Sequence, residues 1–188
     1  MSFWHRVRFW GTRPDEISAP WPCDARATAR ETSLFRAIDV DAPPERVFRW
    51  LCQLKVAPYS YDWLDNGGRR SPRSLTEGAD ALAVGQRVMS IFELVEFETD
   101  RFMTLVTPGR GAFGPVLVTY RTLARERGDG TGGDDGGTRL VARLRMDFPA
   151  TFLGRAAGAA LAFGDWIMMR KQFLTLKALA EAESSSAS

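Results

Sequence analysis

The sequence predicts an α+β fold: a curved antiparallel β-sheet wrapped around one long C-terminal helix, with two short helices after the first strand. Three observations predict it. From Thr151 to Glu183 the chain contains no proline and is apolar around most of a helical circumference, through Phe152, Leu161, Phe163, Trp166, Met169 and Phe173. Ahead of that helix lies a run of short segments with alternating polarity, the pattern of half-buried strands. A lone helix with so much apolar surface needs something curved around it, and a bent antiparallel sheet is the natural partner. A sheet wrapped on one helix often leaves a cavity, and such cavities bind hydrophobic small molecules.

Residues 1–31 read as an N-terminal arm rich in Trp, Arg and Pro. Trp4, Trp10 and Trp21 can pack over the domain or touch a membrane surface; an arm so short and irregular favours packing. Residues 32–183 form the ligand-binding domain and 184–188 a disordered Ser-rich tail. Ser33–Asp41 reads as the first strand. Asp41 is then a helix N-cap, with Pro43 and Pro44 at the helix entry. Val47, Leu51 and Leu54 follow at helical spacing, and the helix ends before Pro58. Tyr59–Gly68 is a short helical turn stopped by Gly67 and Gly68.

A polar loop runs to about Val84. Gly85–Glu98 and Arg101–Thr107 read as two strands around a tight turn at Thr99 and Asp100. Val116–Arg125 and Thr138–Phe148 make another pair with clean alternation. Val116, Val118, Tyr120 and Thr122 point one way, with Arg121 and Arg125 opposite. Leu140, Ala142, Leu144, Met146 and Phe148 point inward, which sends Arg139, Arg143 and Arg145 to water.

Strand, two short helices, several antiparallel strands and one long helix resemble the START-related polyketide cyclase and lipid-transport (SRPBCC) superfamily. Its helix-grip fold is shared with birch-pollen-allergen-like proteins. Three segments carry the resemblance: the first strand running into Asp41–Leu51; Tyr59-Ser60-Tyr61-Asp62-Trp63-Leu64-Asp65-Asn66, similar to bacterial members; and Phe163-Gly164-Asp165-Trp166 leading to Met169, Arg170 and Lys177. Trp10-Gly11-Thr12 and Pro22-Cys23-Asp24 are similar to the lead-in of those members. The resemblance implies the helix-grip fold. For function it implies a wide range, from lipid carriers to cyclases and hydrolase-like enzymes.

Two motif matches carry no site. Gly109–Gly114 satisfies G-x-G-x-x-G, but Pro115 and a strand pattern follow where a dinucleotide site needs a helix N-terminus. Gly128–Gly137 faintly resembles calcium-binding repeats, but a single copy cannot stack turns, and it reads as a hairpin loop. The net charge of +2 gives no field that favours nucleic acid. No apolar run reaches the roughly 18 residues of a bilayer span. The N-terminus lacks the continuous apolar core of a signal peptide, so the expected location is cytoplasmic. Of the two cysteines, Cys23 lies in the arm and Cys52 in a helical pattern. A disulfide between them stays open, though nothing else suggests a secreted scaffold.

Catalytic groups are scarce, and the catalytic residues stay unassigned. The only histidine is His5, so histidine chemistry would need the arm inside the pocket. No Cys/His/carboxylate spacing suggests a metal, and no cofactor is implied. On a helical wheel Arg170 falls within the stripe of Phe152, Phe163, Trp166, Phe173 and Leu174. A guanidinium there pairs with a strand carboxylate such as Glu93, snorkels outward, or anchors a ligand carboxylate or enolate. Tyr61 and Trp63 line the pocket or pack in the core. Tyr120 places its hydroxyl in the cavity or bonds the backbone. Asp165, off the aromatic stripe, reads as a surface or capping residue. The candidate ligand-binding set is Tyr61, Trp63, Phe92, Tyr120, Met146, Phe163, Trp166 and Arg170.

The first functional reading is binding of a hydrophobic small molecule, a lipid or polyketide-like aromatic. A second is a cyclase or dehydratase in which Tyr120 and Arg170 polarise a carbonyl. A third is a partner protein that uses the Trp-rich arm and an outer face. The oligomeric state is not legible.

Overall fold

A computed structural model of the chain describes residues 2–26, 32–108, 115–125, 137–147 and 151–185. The arm holds helix α1 (Phe3–Arg8), the short strand β1 (Phe9–Trp10), helix α2 (Pro14–Ser18) and a 3-10 turn over Pro22–Arg26. Strand β2 (Thr32–Val40) leads into helix α3 (Pro44–Cys52), a 3-10 turn at Gln53–Lys55 and helix α4 (Asp62–Asp65). Strands β3 (Arg87–Val88), β4 (Phe92–Glu98), β5 (Phe102–Val106), β6 (Leu117–Ala124) and β7 (Thr138–Met146) precede helix α5 (Phe152–Ser185). The strands form one seven-stranded sheet in the order β1-β2-β7-β6-β5-β4-β3. Every described pairing is antiparallel except β1 with β2. This is the helix-grip arrangement expected from the sequence.

Local chemistry sets the boundaries. Thr151 caps α5: its Oγ1 accepts the Gly154 N–H at 3.0 Å. The N-cap of α3 is Pro43, not the expected Asp41. β2 ends at Val40, and Pro44 takes the first helical position, where a missing N–H costs nothing. Asp41 instead bonds Arg125 Nη2 through Oδ1 at 2.6 Å. The strand expected over Gly85–Glu98 is broken between β3 and β4. Met89 (φ 48°) and Ser90 (φ 62°) take left-handed backbone there, and Met89 N–H donates to Leu54 O at 3.0 Å.

Period-2 alternation sorts the sheet into two faces, and both are covered. The inner face packs Leu34, Val118, Leu140, Ala142 and Leu144 with Val47 and Leu51 of α3 and Phe173 and Leu176 of α5. The outer face packs Phe35, Ala37, Leu117 and Val141 under Trp21 and Cys23 of the arm. Arg139, Arg143 and Arg145 therefore do not reach open water as expected. Arg139 Nε donates to Glu16 Oε1 at 2.6 Å and its Nη2 to Gly11 O at 2.6 Å. Arg143 donates to Asp24 at 2.9 Å, and Arg145 bonds the same carboxylate. Alternation separated the faces, but it carried no information that the arm would roof the outer one.

Cys23 and Cys52 are free, buried thiols. Burial pushes the Cys52 thiol up to about 12. No helix among the described residues is long and apolar enough to cross a membrane. Gly109–Gly114, Phe148 and nearly all of the Gly-rich Gly128–Gly137 segment lie outside the described residues, and α5 continues to Ser185, past the expected start of the tail.

Candidate functional site

A cavity of about 350 Å³ lies between the inner face of the sheet and α5. Strands β6 and β7 supply Val118, Tyr120, Leu144 and Met146, the inward row of each. The turn before β4 adds Met89 and Ile91, and β4 itself adds Phe92. From α5 come Leu161, Gly164, Asp165, Met168, Met169 and Gln172. Gly164 leaves space on its helix face: a Cβ built there meets nothing within 4 Å. Ile91 (62 % exposed) and Leu161 (42 % exposed) mark where the cavity reaches solvent.

Three polar groupings interrupt these apolar walls. Tyr120 Oη donates to Gln172 Oε1 at 2.9 Å. Gln172 Nε2 donates to Pro58 O at 2.7 Å and to Met89 Sδ at 3.3 Å. Ser60 Oγ donates to Asp65 Oδ2. Asp165 Oδ2 accepts from Arg36 Nη2 at 2.6 Å, and the Arg36 side chain has no exposed surface. Burial raises the Asp165 carboxyl above its ordinary value, while Arg36 pulls it the other way. Burial likewise raises the Tyr120 hydroxyl, with the nearby Asp165 adding to the rise.

Of the expected site residues, Phe92, Tyr120 and Met146 line the cavity and the other five do not. Trp63 is 75 % exposed on α4. Tyr61 is the N-cap residue of α4 and stays partly exposed. Phe163 and Trp166 pack beside the cavity against Phe3 of α1, tilted and edge-on, with ring centroids 6.0 and 6.3 Å from it. Arg170 is exposed and sits 6.0 Å from the Trp10 ring centroid, with no ion pair to Glu93 among the described residues. The stripe that placed it inward is not the buried face of α5. Phe152 is 85 % exposed, whereas Ala162, Met169, Phe173, Leu176 and Ala180 are buried. A helix apolar all round gives periodicity no single face to select.

Two groups escaped the sequence reading. Asp165 faces the sheet rather than solvent, and Arg36 on β2 meets it from the opposite wall. The signal was present: Arg36 falls in the inward row with Leu34 and Ile38, and a buried cation demands an anion across the core. His5 lies in α1, exposed, with its ring 5.0 Å from Phe9, away from the cavity. Among the described residues no group of three or more His, Cys, Asp or Glu side chains is placed to hold a metal.

No protein-family model matches the chain, and no curated protein matches its sequence at a significant level. Solved structures similar to it include the TTHA0849 protein of Thermus thermophilus, at 17% identity over 81% of this chain and 99% of that one, TM-score 0.46. A member of the major latex protein family from Arabidopsis thaliana matches at 13% identity over 80% of this chain and 97% of that one, TM-score 0.43. The di-domain ARO/CYC protein StfQ of the steffimycin biosynthetic pathway matches at 10% identity over 87% of this chain but 55% of that one, TM-score 0.49.

Proposed function

We propose that the chain binds a hydrophobic small molecule in the cavity between α5 and the sheet. The observation that carries this reading is the cavity itself: about 350 Å³, walled by Phe92, Val118, Leu144, Met146, Met168 and Met169. That volume falls within the range of small-molecule pockets, and apolar walls with a few placed polar groups are their usual make-up. In this reading Phe92, Tyr120 and Met146 contact the ligand, and the partly exposed Ile91 and Leu161 border its way in.

The cyclase or dehydratase reading needed Tyr120 and Arg170 on one substrate. Arg170 lies outside the cavity over Trp10, so that pair is not assembled. The test of binding is native mass spectrometry of protein purified from its own host, followed by extraction of what it holds. A retained hydrophobic species supports the reading. An empty protein that also binds nothing from a lipid and polyphenol panel discards it.

A further inference from the structure

We propose that the ligand of this cavity carries a neutral hydroxyl, an alcohol or phenol, which donates to Asp165 Oδ1, and that carboxylate ligands are turned away. The inference deepens the cavity-binding reading above and rests on it.

The argument is an account of donors and acceptors. Among the described residues, three side chains on the cavity wall own hydrogen-bond donors, and each donor is already committed. The Tyr120 hydroxyl donates to Gln172 Oε1. Both amide hydrogens of Gln172 have acceptors, Pro58 O and Met89 Sδ. The Ser60 hydroxyl donates to Asp65 Oδ2. Two buried donors without partners, Arg36 Nε and Trp166 Nε1, belong to residues that do not line the cavity. Among the described residues the wall therefore has no free side-chain donor to offer a ligand.

It does have acceptors, on two carboxylates: Asp65, whose Oδ2 takes the Ser60 hydroxyl and whose buried Oδ1 has no partner among the described residues, and Asp165. Asp165 lines the cavity, its side chain is 17 % exposed, and only Oδ2 is engaged, by Arg36 at 2.6 Å. The Arg36 guanidinium favours the ionised form against the rise that burial imposes. It has no exposed surface, and protonating Asp165 would strand a buried guanidinium. Oδ1 is left as a charged acceptor on an apolar wall, where a hydrogen bond to it is stronger than one in water.

The same geometry sets the charge of the ligand. A carboxylate would meet the Asp165 and Asp65 carboxylates, with no cation among the described lining residues to receive it. Arg36 is spent on Asp165, Arg8 O and Phe35 O, and Arg170 is outside the cavity. At the Asp165 carboxylate, which Arg36 already balances, a protonated amine would add a net charge at the cost of burying it. A neutral donor incurs neither penalty.

The test is calorimetric titration of the whole protein at neutral pH with three ring-matched probes: naphthol, methoxynaphthalene and naphthoate. Naphthol is expected to bind about tenfold or more tightly than methoxynaphthalene, the range of a hydrogen bond to a charged group, and naphthoate weakest. Asp165→Asn should shrink the naphthol advantage. The paired variant Arg36→Met/Asp165→Leu, which strands no charge, should abolish it while methoxynaphthalene still binds. Methoxynaphthalene equal to naphthol in the wild-type protein, or naphthoate the tightest, overturns the inference and leaves the cavity reading standing. Binding of none of the three by the folded protein overturns both. The wild-type ranking decides the matter even if a variant fails to fold.

Discussion

Arg36 on β2 and Asp165 in the middle of α5 form an ion pair of 2.6 Å across the core, with the guanidinium wholly buried. The pair ties the first long strand to the helix that the sheet wraps. Its energetics are asymmetric. Removing one partner leaves an uncompensated buried charge, whereas replacing both with apolar groups of similar size is often neutral or better. Asp165→Ala should therefore cost about 3–5 kcal/mol, and Arg36→Met/Asp165→Leu should recover most of that loss. Urea denaturation of the three proteins checks it. A double variant no more stable than the single one would show that the pair contributes more than charge balance.

The pH dependence of stability follows from the same carboxyl. Burial raises Asp165 above its ordinary value. A carboxyl raised in the folded state holds its proton more tightly there than in the unfolded chain. Its contribution is then fully present below the unfolded carboxylate pKa of about 3.9 and is lost as pH rises through the raised folded value. Asp165→Asn has no proton to lose at this position. The stability difference between wild type and Asp165→Asn should shift against the wild type as pH climbs from acid toward neutral. Thermal melts across that range read it directly, and a flat difference would mean that Asp165 titrates normally.

The arm is held by a second covered pair. Glu16 accepts from Arg139 Nε at 2.6 Å and Nη2 at 3.1 Å, and its Oε2 also accepts the Arg13 N–H at 2.7 Å. Both side chains are almost fully covered, at 7% and 9% exposed. Glu16→Ala should cost about 3–5 kcal/mol by stranding Arg139, and Glu16→Gln less, since one hydrogen bond can persist. Gly11 sits beside the same pair with φ +73°, and a Cβ there would collide with Ala37 O. Gly11→Ala should lose about 1–2 kcal/mol from conformation alone, before the clash is counted. If limited proteolysis of both variants showed an arm as protected as in the wild type, these contacts would not be what secures it.

Much of this fold was legible because its signals are local. Alternation in β6 and β7 gave the inward row that holds Tyr120 and Met146, and the proline-free stretch after Thr151 gave α5. What stayed hidden was relational. The face of α5 was unreadable because Phe152, Phe163 and Leu174 look as apolar as Met169, Phe173 and Leu176, and only the tertiary fold separates exposed from buried. Asp165 reads as a surface residue because its partner lies far away in sequence, on β2. Arg139 reads as facing water because strand periodicity reports a face, not whether an arm from elsewhere in the chain covers it. Trp63 shows the opposite error, an aromatic in a family-like segment that the structure leaves 75 % exposed.

Gly164 offers a way to separate the cavity from the stability of the molecule. It lies mid-helix on the cavity wall, and a Cβ added to it meets nothing within 4 Å. Glycine in a helix interior is less favourable than alanine by about 0.8–1.0 kcal/mol, so Gly164→Ala should raise the melting temperature. Gly164→Leu keeps a good helix former but projects its side chain into the space a ligand would occupy. It should melt at or above the wild-type temperature while losing any hydrophobic ligand retained in native mass spectrometry. Trp63→Ala serves as the contrast, since an exposed ring outside the cavity should leave retention unchanged. Full retention by a stable Gly164→Leu protein would place the ligand somewhere other than between α5 and the sheet.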